Sequence, residues 1–315
     1  MTRMPDIAGD TWLNSEPLRR EEMAGKVVLV HFWTYTCVDC LRSIPYLKRW
    51  WRDYGGPGFT LVGVHTPEFE FEKNPKVVEE ALAKLGVEWP VVLDNDHSNS
   101  ESFDFPALPA TYLVNREGRI VYTHFGEGNY SRSEENIRKL LGESGQGETP
   151  SLLGFAEQVQ GGMCFPPTPR LYCGYARGSL SNPGGYEPDR EAEYVLPSQL
   201  EKDSMALAGR FLARTEFLET EEPGAAIHVS FHATEVNLVL LAPQGQAFVE
   251  VSLDGDLMDE ELRGDDVSDT GMVDITHPHM YTLLSCEEPV IGTLTVEAMR
   301  GAFRAYVFTF SGCVD

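Results

Sequence analysis

The run Val27–Trp33, VVLVHFW, constrains this chain more than any other stretch of it. It is almost unbroken in its apolar, β-branched character. A run of that kind reads as a strand buried on both faces, at the centre of a sheet covered by helices. Cys37 and Cys40 follow as a Cys-x-x-Cys pair. From Cys40 to about Tyr54, Leu41, Ile44, Leu47 and Trp51 fall near one helical face, so a helix is expected there. Pro45 should kink it, and Gly55, Gly56 and Pro57 end it. The cysteine pair therefore sits between the end of a buried strand and the start of a helix.

Phe59–His65 reads as a second buried strand. After a loop around Thr66–Asn74, the spacing of Val78, Ala81, Leu82 and Leu85 predicts an amphipathic helix that Gly86 terminates. Trp89–Asp94 and Ala110–Asn115 are further strands, and the turn at Arg116–Arg119 joins the latter to Ile120–Phe125 as a hairpin. Ser131 should open a final helix, with Glu134 completing a capping box and Ile137, Leu140 and Leu141 facing inward. This βαβαββα order predicts a three-layer α/β domain with helices around one mixed sheet. Gly142–Ser151, polar and glycine-rich, reads as a linker, which puts the domains at about 1–145 and 146–315. Beyond it, short alternating runs such as AAIHVSFHA, VNLVLLA, YTLLSC and GTLTVEAM predict an all-β sandwich or jelly roll.

Charge narrows the partners. The net charge is −24, and residues 149–315 carry 9 Lys+Arg against 26 Asp+Glu. Such a field repels nucleic-acid phosphates and anionic lipid, so no nucleic-acid partner is expected. No stretch approaches the ~20 apolar residues of a membrane span, and Met1–Trp12 has no apolar signal core. The chain as written reads as cytoplasmic; as part of a longer protein it would read as extracytoplasmic. Six cysteines are too few for a disulfide scaffold in a chain of this length. With no second Cys-x-x-Cys, zinc is not implied either. No metal and no cofactor is expected, and the acidic run Asp254–Asp274 reads as a solvated loop. Cys164 and Cys173 could pair or stay free, and Cys286 and Cys313 read as core residues.

What remains is redox chemistry. A two-residue spacer keeps both sulfurs on one helical turn, and the helix N-terminus favours a thiolate at Cys37. Asp39 opposes that, since a carboxylate close by disfavours the thiolate and makes the dithiol less oxidising. The expected reaction is reduction of a protein disulfide, with Cys37 exposed for attack and Cys40 resolving the mixed disulfide.

FWTYTCVDCLRSIPYL resembles the active-site segment of TlpA/ResA-like thioredoxin-fold proteins, and LPATYLVNREGRIVYTHFGEG resembles their cis-proline segment. WLNSEPL, FWTYTC, VGVHTPEF, LYCGYARG and AYVFTF together resemble the soluble C-terminal part of DipZ-like proteins. That resemblance implies a thioredoxin-like domain followed by a carbohydrate-binding-like jelly roll. It makes Pro109 the cis-proline that packs against the redox pair. His31 would occupy the place of a buried acid that handles the proton of Cys40, or else be a core histidine bonded to a backbone carbonyl. Trp33 would line the pair or simply fill the core. The electron donor would be a membrane CcdA-type or thioredoxin-type dithiol.

Two other functions compete. A thiol peroxidase would use Thr34, three residues before Cys37, but its motif needs a proline four residues earlier, where this chain has Val30. A glycan- or protein-binding module would use the second domain. All five tryptophans lie in the first domain (Trp12, Trp33, Trp50, Trp51 and Trp89), leaving only Tyr and Phe to stack sugars in the second.

Overall fold

The computed structural model describes residues 2–142 and 165–312. Most of the expected linker, Cys164 and Cys313 lie outside the described residues. The chain divides into two compact units, Met1–Glu157 and Gln158–Asp315.

The first unit runs β1 (Trp12–Leu13), α1 (Arg20–Met23), β2 (Val27–Trp33), α2 (Val38–Tyr54), β3 (Phe59–His65), a 3-10 turn (Glu70–Lys73), α3 (Pro75–Leu85), β4 (Val91–Leu93), α4 (Ser98–Phe103), β5 (Ala110–Val114), β6 (Ile120–Phe125) and α5 (Tyr130–Leu141). Its six strands form one sheet in the order β1-β4-β3-β2-β5-β6. The β2–β3 and β3–β4 pairs are parallel, while β1, β5 and β6 join antiparallel. This is the mixed sheet of a thioredoxin-like fold.

Every residue of β2 is buried because strand geometry points alternate side chains to opposite faces, and both faces are covered. Val27, Leu29 and Trp33 enter one cluster with Ile44, Leu47 and Trp50 of α2. Val28, Val30 and Phe32 enter another with Met4, Met23, Phe103 and Tyr112. His31 belongs by alternation to the α2 side.

Several local expectations are corrected. The helix after the cysteines begins at Val38, because Cys37 itself is the N-cap: its Sγ accepts the backbone N–H of Cys40 at 3.3 Å. Its buried face uses Trp50 rather than Trp51, which is only half-buried. The helix is continuous through Pro45. The capping box at Ser131 does not form. Helix α5 starts one residue earlier with Asn129 as N-cap, and Glu134 instead accepts the hydroxyl of Tyr54 at 2.8 Å, tying α5 to α2. Gly86 ends α3 in the left-handed region at φ 61°, as the spacing required.

The second unit is sheet-rich. It comprises β7 (Leu171–Tyr172), β8 (Glu191–Tyr194), β9 (Ser204–Ala213), β10 (Leu218–Thr220), β11 (Ala226–Leu241), β12 (Ala247–Leu253), β13 (Asp256–Leu257), β14 (Met272–Ile275), β15 (His279–Arg300) and β16 (Phe303–Ser311). The runs AAIHVSFHA and VNLVLLA are not two strands but one, β11, and YTLLSC and GTLTVEAM are both parts of β15. A register shift between Ala233 and Glu235 breaks the period-2 pattern within β11. Its inward phase changes there from Ile227, Val229 and Phe231 to Val236, Leu238 and Leu240. Cys173 is fully buried in this core, whereas Cys286 is only half-buried against it.

Candidate active site

The site is assembled where β2 hands over to α2. Cys37 and Cys40 both join the apolar cluster that contains Trp33, Tyr35 and Ile44. The expected exposure of Cys37 is not found: it is 2% exposed and Cys40 is fully buried. Cys37 caps α2 from within the apolar cluster it shares with Trp33, Tyr35 and Ile44, and that packing encloses it. Cys40's thiol is pushed well above its ordinary value, first by burial and then by the hydrogen bond with and charge of Cys37. A backbone hydrogen bond from Thr34 partly offsets this, and the charge of Asp39 adds to it. Asp39 lies in the first turn of α2, half-buried. Pro109 is buried, and the Leu108–Pro109 bond is cis.

His31 is a core histidine with two hydroxyl partners rather than a backbone carbonyl. Its Nδ1 lies 3.0 Å from Thr111 Oγ1 and its Nε2 lies 3.1 Å from Ser43 Oγ. Ser43 donates its own proton to the carbonyl of Cys40 at 2.6 Å. With that proton committed, Ser43 can only accept from His31, which assigns the ring proton to Nε2 and leaves Nδ1 to accept from Thr111. Burial lowers His31 to about 3, so the ring is neutral. Its basic lone pair faces Thr111, and its link to Cys40 runs through Ser43 to a backbone oxygen.

Around this lies a second polar layer, of which the reading of the sequence singled out Thr34 and Trp33. Thr34 Oγ1 is 3.3 Å from His65 Nε2, so its hydroxyl faces that ring. Tyr35 stacks on His65 at 5.6 Å and meets Phe71 edge-on. Thr36 donates to Glu72, a fully buried carboxyl. Trp33 packs edge-on to His65 at 5.7 Å, and Gly63 makes room for it. A Cβ at Gly63 would come within 3.1 Å of the indole nitrogens of both Trp33 and Trp89. The VGVHTPEF segment contains His65 and leads into Glu72, so its signal was present in the sequence without a role attached.

Among the described residues no group of three or more His, Cys, Asp or Glu is placed to hold a metal, and no helix is long and apolar enough to cross a membrane. Carboxylates of the acidic run bond backbone amides, as where Asp254 accepts the amide of Thr293 at 2.8 Å and Asp266 that of Thr282 at 2.7 Å.

Residues 2–141 match the Redoxin family and residues 168–311 the family described as a thioredoxin-like C-terminal domain. The chain is 33% identical over 249 residues to the DipZ proteins of Mycobacterium bovis and Mycobacterium tuberculosis, covering 75% of this chain and 34% of theirs. It thus spans about a third of the length of those relatives. It is 28% identical over 142 residues to the thiol-disulfide oxidoreductase YkuV of Bacillus subtilis, covering 45% of this chain and 95% of YkuV. Against the thiol-disulfide oxidoreductase ResA of the same organism it is 30% identical over 108 residues, 34% of this chain and 58% of ResA. The chain thus couples a segment that matches the Redoxin family to one that matches the thioredoxin-like C-terminal domain family, and over three quarters of its length it is similar to the DipZ proteins.

Proposed function

We propose that Cys37 and Cys40 are the redox pair and that the chain works mainly as a reductase of protein disulfides. The observation that carries this reading is the N-cap geometry. Cys37 Sγ accepts the Cys40 amide at the start of a helix that directly follows the central strand. The Cys37 thiolate attacks one sulfur of a substrate disulfide, and the other substrate sulfur leaves as thiolate. The Cys40 sulfur, once deprotonated, attacks Cys37 Sγ, forming the Cys37–Cys40 disulfide and releasing the second substrate thiol. Two electrons pass to the substrate, and a membrane CcdA-type or thioredoxin-type dithiol must return them.

The reducing direction is read from Asp39, whose carboxylate in the first turn of α2 disfavours a thiolate in the pair. A thioredoxin-type dithiol becomes oxidising when its reduced form is stabilised as a thiolate. Burial, the Cys37 sulfur and Asp39 all disfavour that form at Cys40. Within this reading Pro109 and Trp33 flank the pair, while His31 orients the first turn of α2 through Ser43. The second unit is read as a jelly-roll-like sandwich whose long strands bend at their bulges, with a protein or glycan ligand as its proposed cargo.

The test is reduction of insulin by the full chain primed with dithiothreitol. Cys37→Ser should fall to background, and Cys40→Ser should accumulate a mixed disulfide with the substrate. Undiminished turnover in Cys37→Ser would remove the assignment. Peroxide consumption by Cys40→Ser at a rate exceeding disulfide reduction by the wild type would favour the peroxidase.

A further inference from the structure

Three consecutive residues carry the chain from β2 to Cys37, and each is held sideways by the end of β3 or the segment that follows it. Thr34 meets His65, the last residue of that strand, and Tyr35 lies between His65 and Phe71. Thr36, the residue bonded to Cys37, donates its hydroxyl to Glu72 Oε1. The other oxygen, Oε2, accepts the backbone amides of Glu68 and of Phe69, the latter at 3.2 Å. Glu72 thus gathers three donors, two from the turn on which it sits and one from the loop that presents the attacking sulfur.

A carboxyl with no solvent exposure is a costly choice for such a tie. Backbone amides at a turn can be satisfied by a serine, an asparagine or a neighbouring carbonyl, none of which carries a charge. Burial pushes Glu72 up to about 7, while the bonds from Thr36, Glu68 and Phe69 pull it down. All three bonds favour the carboxylate over the acid, so the arrangement is built to receive charge-assisted donors. One of those donors is adjacent to the nucleophile.

We propose that Glu72 is a positioning residue for the redox reaction: through Thr36 it fixes the backbone that presents Cys37, and so sets the geometry of attack on the substrate disulfide. This rests on the assignment of Cys37 as the attacking sulfur. A misplaced nucleophile loses rate steeply with small displacements, whereas a remote structural tie affects only the folded fraction. The carboxyl touches no substrate and takes part in no bond change; it acts only through Thr36.

The test uses the full chain with Thr36→Val, Thr36→Ser, Glu72→Gln and Glu72→Ala. Each variant is followed by insulin reduction, by the alkylation rate of the reduced Cys37 thiol, and by thermal melting. Thr36→Val keeps the side-chain shape and removes the donor. It should lower kcat for disulfide reduction about tenfold with KM little changed, and change the alkylation rate, while remaining folded at the assay temperature. Thr36→Ser restores the hydroxyl and should recover wild-type kcat. Glu72→Gln can turn its amide towards Thr36 and keep one oxygen for the two backbone amides. It should therefore retain more activity than Glu72→Ala. Folded Thr36→Val with wild-type kcat and alkylation would overturn the proposal, as would Thr36→Ser failing to recover what Thr36→Val lost. If Glu72→Ala does not fold, the two Thr36 variants decide alone. Failure of the underlying assignment would look different, since Cys37→Ser would then stay active whatever happens at Thr36.

Discussion

The two units bury cysteine in opposite ways. In the second, Cys173 lies in an apolar core of Leu218, Phe303 and their neighbours, and burial alone pushes its thiol up. In the first, Cys37 and Cys40 are as deeply enclosed. The shell around them holds His31, Thr34, Thr36, Ser43, His65 and Glu72, every one of them buried. Buried polar groups are tolerated chiefly where they are bonded, and two of these bonds, Thr34 with His65 and Thr36 with Glu72, hold the loop that carries Cys37. Burial by itself thus does not distinguish a structural thiol from a reactive one. The chemistry of the enclosing shell does.

The largest expected contrast is in acid. His31 and His65 are lowered to about 3 in the fold, from 6.5, so each contributes stability that is present above pH 6.5 and lost as pH falls towards 3. Glu72 is raised to about 7 from 4.5, so its effect is opposite: stability rises as pH falls from 7 to 4.5. Between 6.5 and 4.5 two losses meet one gain. The first unit should therefore lose about 1.4 kcal/mol per pH unit, near 3 kcal/mol across that window. Because all five tryptophans lie in this unit, urea unfolding followed by tryptophan fluorescence reads it selectively. Glu72→Gln should roughly double the slope, and a flat profile would show that these groups do not hold the titrations assigned to them.

A smaller effect sharpens the contrast from the other side. Cys173→Ser places a hydroxyl in an apolar core and should cost roughly 1–3 kcal/mol of stability in the second unit. Insulin reduction per folded molecule should stay at the wild-type level. Lost reductase activity in a folded Cys173→Ser would mean that the second unit's thiol takes part in the chemistry.

The smallest effect concerns Asp39. It is the last of the influences acting on Cys40, and it is half-buried, so solvent screens it. Asp39→Asn should raise the reduction potential of the pair by less than about 30 mV, the equivalent of 1.4 kcal/mol for two electrons. Equilibration against glutathione measures this. A lower potential in the variant would reverse the sign assigned to Asp39.

These differences also explain what could be read from the sequence. VVLVHFW announced its own burial because a strand covered on both faces needs no alternation, and the cysteines followed it directly. Gly86 was legible because a left-handed cap excludes nearly everything else. Glu72 was not, since it falls in EFEFEK, inside a stretch that reads only as a loop. Only the tertiary fold places that acid beneath Thr36. Strands β11 and β15 were split into short runs because a register shift changes which parity faces the core. Elements β1 and α4 were missed because two and six residues are too few to display a period.

The burial of Cys37, 2% exposed, also has a kinetic meaning. Small oxidants and electrophiles meet Cys37 only when the surrounding side chains open, so their size and the opening rate govern how fast the dithiol is consumed. A docked polypeptide can supply the contacts that hold the cover aside, which a diffusing small molecule cannot. Under the proposed reductase function the enclosure would act as a filter in time, keeping reducing equivalents from casual loss and releasing them on contact with a client large enough to pry the site open.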